Sequence, residues 1–159
     1  MAKEIINVDF IMKTYDTSKM DLWTKEQWKE WVGEPEDHTG IQILLINDNK
    51  LYLKVMLISF NEETGNMIFD FDTQNKLDRD INIQFGRWEI DESINNLSHE
   101  KPQYMEKRSV VRSFQRFVKR THLESWDTIT IEISILDAET NLSIRELEFQ
   151  IKKRFIQVF

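Results

Sequence analysis

Residues 105–123 read MEKRSVVRSFQRFVKRTHL, and the spacing of their apolar side chains decides the fold class. Val110, Val111, Phe114, Phe117, Val118 and Thr121 recur at three and four residues, the period of one helix face. Arg108, Arg112, Arg116, Lys119 and Arg120 recur at the same interval on the other side. The segment therefore predicts a long amphipathic helix with a basic outer stripe.

On either side the period changes to two. Ile6, Val8, Phe10 and Met12 alternate with Asn7, Asp9 and Ile11, which predicts a strand. Thr24-Lys25-Glu26-Gln27 is a capping box ahead of Trp28, Trp31 and Val32, and Gly33 supplies the stop of a short helix. Ile41–Ile46 and Leu51–Phe60 flank Asn47-Asp48-Asn49, a hairpin signal. Met67–Phe71 and Ile81–Ile90 continue as strands, with Gly86 as a bulge candidate, and the succession suggests an antiparallel meander. Residues 91–104 are polar and irregular. Ile129, Ile131, Ile133 and Ile135 form a half-buried strand. The last segment carries both periods. Leu147, Phe149 and Ile151 alternate, while Ile144, Leu147, Ile151, Phe155 and Val158 have helical spacing; a hairpin with the preceding strand is preferred. The expectation is a single α+β domain over residues 1–159. It has an antiparallel sheet of about six to seven strands, a short N-terminal helix and one long amphipathic helix.

Composition excludes several chemistries. The 159 residues include no cysteine, so disulfides, thiolate zinc sites and cysteine nucleophiles are absent. Gly33, Gly40, Gly65 and Gly86 are the only glycines, and they form neither a Walker loop nor a dinucleotide fingerprint. His38, His99 and His122 are scattered, and no Glu-x-Lys occurs to end a restriction-type nuclease motif. No catalytic constellation, cofactor or metal is therefore expected. Asn7 and Asp9 break any signal-peptide core, and Leu51–Phe60 is too short to span a bilayer. The expected setting is the cytoplasm, with no membrane partner.

The charge is uneven. Net charge is −7 and the pI about 5.1. Residues 1–104 hold 11 lysines and arginines against 20 carboxylates, whereas residues 105–124 hold 6 against 2. An acidic body repels nucleic acid at long range and attracts basic proteins.

Two groups of residues are candidate partner-binding sites. Asp70 and Asp72 alternate on a strand, and Asp78 and Asp80 follow. Such residues suit a solvent face, a divalent cation or an imitation of the nucleic-acid backbone toward a basic partner. The calcium-loop pattern fails at Gln74, where no glycine follows. Arg108, Arg112, Arg116, Lys119 and Arg120 suit phosphates, an acidic protein surface or plain solvation. Trp23, Trp28 and Trp31 suit packing of the short helix onto the sheet.

The run Met1-Ala2-Lys3-Glu4-Ile5-Ile6-Asn7-Val8-Asp9-Phe10, the length and the Asn/Lys/Ile-rich usage of a low-GC host carry a resemblance. As a whole chain the sequence resembles the small phage or mobile-element anti-CRISPR proteins that inhibit a type II, staphylococcal Cas9. That resemblance implies a non-catalytic inhibitor that binds a Cas9–guide RNA complex in a bacterial cytoplasm and blocks DNA binding or cleavage. The family has no shared motif, so it assigns no role to any position. The alternative is a phage accessory or regulatory protein that binds nucleic acid directly through the helix over 105–123.

Overall fold

The computed structural model describes residues 2–14, 17–33, 42–119 and 126–157. Among these, ten strands form two sheets that share one core. The first sheet holds β1 (Lys3–Thr14), β10 (Ser143–Gln157), β9 (Thr128–Asp137) and β5 (Ile81–Ile90) in that order. The far edge of β5 is shared by β6 (Ser93–Asn96) and β7 (Gln103–Met105). The second sheet has the order β2 (Ile43–Asn47), β3 (Leu51–Asn61), β4 (Asn66–Asn75) and β8 (Val110–Lys119). A 3-10 helix over Thr17–Leu22 and the helix α1 (Lys25–Gly33) lie between β1 and β2.

The period-two stretches become strands because each puts one apolar row inward. Leu51, Leu53 and Val55 of β3, Phe69 and Phe71 of β4, and Ile81, Ile83 and Phe85 of β5 are fully buried or nearly so. The two inner faces meet through aromatic rings. Phe69 packs edge-on against Trp88 at 4.9 Å between centroids, and Phe71 lies 5.4 Å from Phe85. Phe114 of β8 stacks on Phe71 at 5.1 Å. Aromatic pairs at these separations add to the burial energy of the rings themselves.

The expected long helix over 105–123 does not exist, and the α+β assignment is overturned with it. Residues 103–119 form β7, a turn and β8 instead. The reason is a β-bulge. The β4–β8 register shifts between Phe71↔Phe114 and Thr73↔Val111, and Ser113 takes a positive φ of 63°. An extra residue changes the phase of the strand, so Val111 and Phe114 face inward three apart and Val118 follows four later. A bulged strand thus imitates the spacing of a helix.

Three further expectations are corrected. There are more strands than the six to seven expected, because β6 and β7 occupy the stretch read as irregular and β8 stands where the helix was expected. The meander ends after β4: β5 crosses to the other sheet and β8 takes the fourth place. The pairing is antiparallel except at β1, which runs parallel to β10 with Lys3 opposite Glu146 and Thr14 opposite Gln157.

Other local readings hold. Asp48 turns the β2–β3 hairpin by accepting the main-chain N–H groups of Lys50 and Leu51, both at 2.9 Å. The β5–β9 register shifts between Phe85 and Trp88, next to Gly86. The capping box of α1 is reciprocal: Gln27 N–H donates to Thr24 Oγ1 at 3.2 Å and Thr24 N–H to Gln27 Oε1 at 2.8 Å. The final segment is β10, antiparallel to β9.

Candidate partner-binding surface

The acidic and basic candidates lie side by side. Asp70 and Asp72 point outward from β4, between β3 and β8. Arg112 of β8 reaches Asp72 at 3.7 Å. Asp72 also accepts the main-chain N–H of Ser113 at 3.0 Å, and Lys54 lies opposite it on β3. Arg108, in the turn before β8 with φ of 55°, pairs with Asp78 at 3.4 Å. Two cations of the supposed stripe therefore face carboxylates of this same chain. Both arginines are well exposed, so each pair contributes little to stability, but each reduces the charge available to a nucleic acid.

The remaining candidates go elsewhere. Arg116 points to the inner face, where its guanidinium lies 5.1 Å from the centre of the Phe85 ring and 5.3 Å from that of Phe114. Burial lowers its pKa, against a weaker opposing pull from Glu100. Lys119 ends β8, tied through its main chain to the Asn95 side chain at 3.1 and 3.3 Å. Arg120 lies outside the described residues. Asp80 belongs to the loop between β4 and β5, where it accepts Lys107 N–H at 2.8 Å. The phenol of Tyr104 hydrogen-bonds to Asp80, which holds the Tyr104 pKa above the ordinary tyrosine value. Trp28 is partly exposed and packs edge-on with Trp23 at 5.1 Å; the side chain of Trp31 lies outside the described residues.

Asp70 differs from all of these. It sits in the middle of the outer face of the second sheet, yet it is only 8% exposed. Its neighbours across the sheet are Leu57 on β3 and Gln115 on β8, neither of them a cation. Its Oδ1 is buried and has no hydrogen-bond partner. A carboxylate oxygen withdrawn from water without a donor costs free energy, and native structures retain few of them. Around it the face is partly apolar at the surface: Phe117 and Val110 are 46% and 52% exposed. A donor from a partner would satisfy this oxygen once the side chains that cover it move aside, and the exposed side chains of β8 would supply contact area.

The sequence reading placed Asp70 among four similar carboxylates. The distinguishing signal was present, since Asp70 interrupts the apolar run from Met67 to Phe71. Leu57 and Gln115 were missed because their position beside Asp70 depends on strand pairing. No group of three His, Asp or Glu residues placed to hold a metal ion occurs among the described residues. No helix there is long and apolar enough to cross a membrane.

No family model matches the chain, and no curated protein is detectably similar to it.

Proposed function

We propose that this chain is a non-catalytic inhibitor that docks on the basic surface of a nucleic-acid-processing enzyme. Its most specific form is an anti-CRISPR protein that occupies a Cas9–guide RNA complex in the bacterial cytoplasm and blocks DNA binding or cleavage. The single observation that supports this reading is the Asp70 carboxylate on the outer face of the second sheet, whose buried Oδ1 has no hydrogen-bond partner. A lysine or arginine of the partner is the donor that such a carboxylate lacks. Cas9-type channels are lined with those side chains because they hold nucleic acid. The net charge of −7 steers the chain toward such a channel and speeds encounter at low salt.

The alternative, direct nucleic-acid binding by a basic helix over 105–123, is withdrawn along with that helix. Arg108 and Arg112 already face Asp78 and Asp72.

The test is a titration of the chain into a staphylococcal Cas9–guide RNA complex, with DNA cleavage as the readout. Stoichiometric loss of cleavage is expected, with weaker inhibition as ionic strength rises. Full cleavage in the presence of excess protein would refute the assignment to Cas9.

A further inference from the structure

Beside Arg116 the two sheets leave a gap. At this margin β7 and β6 edge one sheet and β8 edges the other. Asn95 ties β6 to β8 at Lys119. At this margin lies an open cleft of about 360 Å³ lined by Lys101, Pro102, Gln103, Tyr104 and Arg116. That volume is within the range of small-ligand sites, about 300–1,000 Å³.

The lining carries two cations, Arg116 and Lys101, with Glu100 near Arg116 and Asp80 bonded to Tyr104. Arg116 donates to the main-chain carbonyls of Gln115 at 2.8 Å and Lys101 at 3.2 Å, and it makes no ion pair among the described residues. Those two bonds leave part of its five-donor fork without a protein acceptor. Packing over the Phe85 and Phe114 rings and two main-chain bonds restrain the guanidinium, so less side-chain freedom remains to be lost on binding. Lys101 is an exposed second cation on the rim. Pro102 and the ring of the half-exposed Tyr104 complete the wall.

The wall is held in place before any ligand arrives. Leu97 N–H bonds to Gly86 O at 2.9 Å, and Glu100 N–H bonds to Leu97 O at 3.0 Å. The Gln84 amide reaches Glu100 O at 3.2 Å. The segment 97–101 is therefore anchored to β5, and its carbonyls orient Arg116.

We infer that the Arg116 cleft is a binding site for a phosphate group, such as that of a nucleotide or of a single-stranded nucleic-acid backbone. A planar guanidinium with open donors, backed by a mobile ammonium, matches phosphate oxygens bidentately. The cleft opens at the side of the sandwich and Asp70 lies on the outer face of the second sheet, so this inference does not depend on the proposed inhibition.

The test is an amide-resolved NMR titration of the whole chain at constant ionic strength. The probes are inorganic phosphate, adenosine 5′-monophosphate, a short single-stranded oligoribonucleotide and acetate. The expected result is saturable shifts at Gln103, Tyr104 and the Arg116 side-chain N–H with the phosphate probes, at a Kd of about 1 mM or below. A clearly tighter oligoribonucleotide identifies backbone phosphate as the source; equal affinity for the mononucleotide identifies a free nucleotide. Lys101→Ala, at an exposed position, leaves the fold intact and weakens binding by about threefold to tenfold. Arg116→Lys keeps the charge, loses the fork and weakens it by about tenfold or more. No saturable shift up to about 10 mM, equal shifts with acetate, or unchanged affinity in both variants would overturn the inference.

Discussion

The carboxylate of Asp72 accepts the main-chain N–H of Ser113, 3.0 Å away across the β4–β8 pair. Ser113 is the bulged residue with positive φ, so this bond holds the bulge that turns Val111 and Phe114 to the same face. Non-glycine residues adopt that backbone region at a cost of about 1–2 kcal/mol, which glycine escapes. Ser113→Gly is therefore expected to change stability by less than about 1 kcal/mol, relief of strain being offset by a freer unfolded chain. Ser113→Val, with a β-branched side chain at positive φ, is expected to lose about 2 kcal/mol or more. Asp72→Ala is expected to lose about 0.5–1.5 kcal/mol, because water replaces the carboxylate at the exposed bulge N–H. Arg112→Ala, at a side chain 79% exposed, loses less than about 0.5 kcal/mol. Urea unfolding of the four variants checks this order.

Asn75 is fully buried and joins two loops. Its amide donates to Arg79 O at 2.8 Å and Glu106 O at 3.0 Å, and its Oδ1 accepts Leu77 N–H at 3.0 Å. Asn75→Ala leaves these main-chain groups unpaired in the interior and is expected to cost about 2–4 kcal/mol. Asn75→Asp is expected to cost at least as much, because a buried carboxylate would face two carbonyl oxygens. Denaturant midpoints measured side by side decide this, and an Asp variant as stable as wild type would contradict it.

Arg145 clamps the two sheets together. It reaches Glu4 on β1 at 2.6 and 2.9 Å and Asp48 in the β2–β3 turn at 2.8 Å. The hydrogen bond from Arg145 holds the Glu4 carboxyl below its ordinary value of 4.5. Burial pushes the Asp48 carboxyl up, but Arg145 and the N–H groups of Lys50 and Leu51 outweigh it and hold it below 3.8. Both folded-state values are depressed, so the stabilisation is complete above the unfolded-state values. It is lost as pH falls through the folded ones. The melting temperature of wild type is therefore expected to drop below about pH 4.5 more steeply than that of Arg145→Met. The variant is less stable at neutral pH, and the gap narrows in acid; a constant gap from pH 7 to about pH 2 would contradict the clamp.

The legibility of the sequence follows its periods. The strand Thr128–Asp137 was readable because one row enters the core without interruption over most of its length. Capping at Thr24 and turning at Asp48 were readable because they depend on residues within one turn of each other. The 105–123 segment was misread because a bulge inserts one residue, and an inserted residue turns a spacing of two into three. The alternation Phe114, Arg116, Val118 was the surviving period-two signal, and Arg116 hid it by being charged. The crossing of β5 to the other sheet and the parallel β1–β10 pair are long-range pairings, which no local pattern specifies. The same holds for the sites. Asp70 was named among the candidates, but its burial arises from strands β3 and β8 on either side. The Arg116 cleft brings together residues of two sheet edges, so Lys101 and Tyr104 carried no signal.

Under the proposed function, Asp70 serves a partner and not the fold. Replacing it with leucine removes a buried carboxylate whose Oδ1 has no partner, which stabilises a protein that has no internal use for that charge. The decisive measurement follows Asp70→Leu in urea unfolding and, with the same preparation, in inhibition of DNA cleavage by the Cas9–guide RNA complex. A stability higher by about 1–3 kcal/mol is expected, together with inhibition weakened by about tenfold or more. A variant that is less stable than wild type, or that inhibits with unchanged potency, would contradict it.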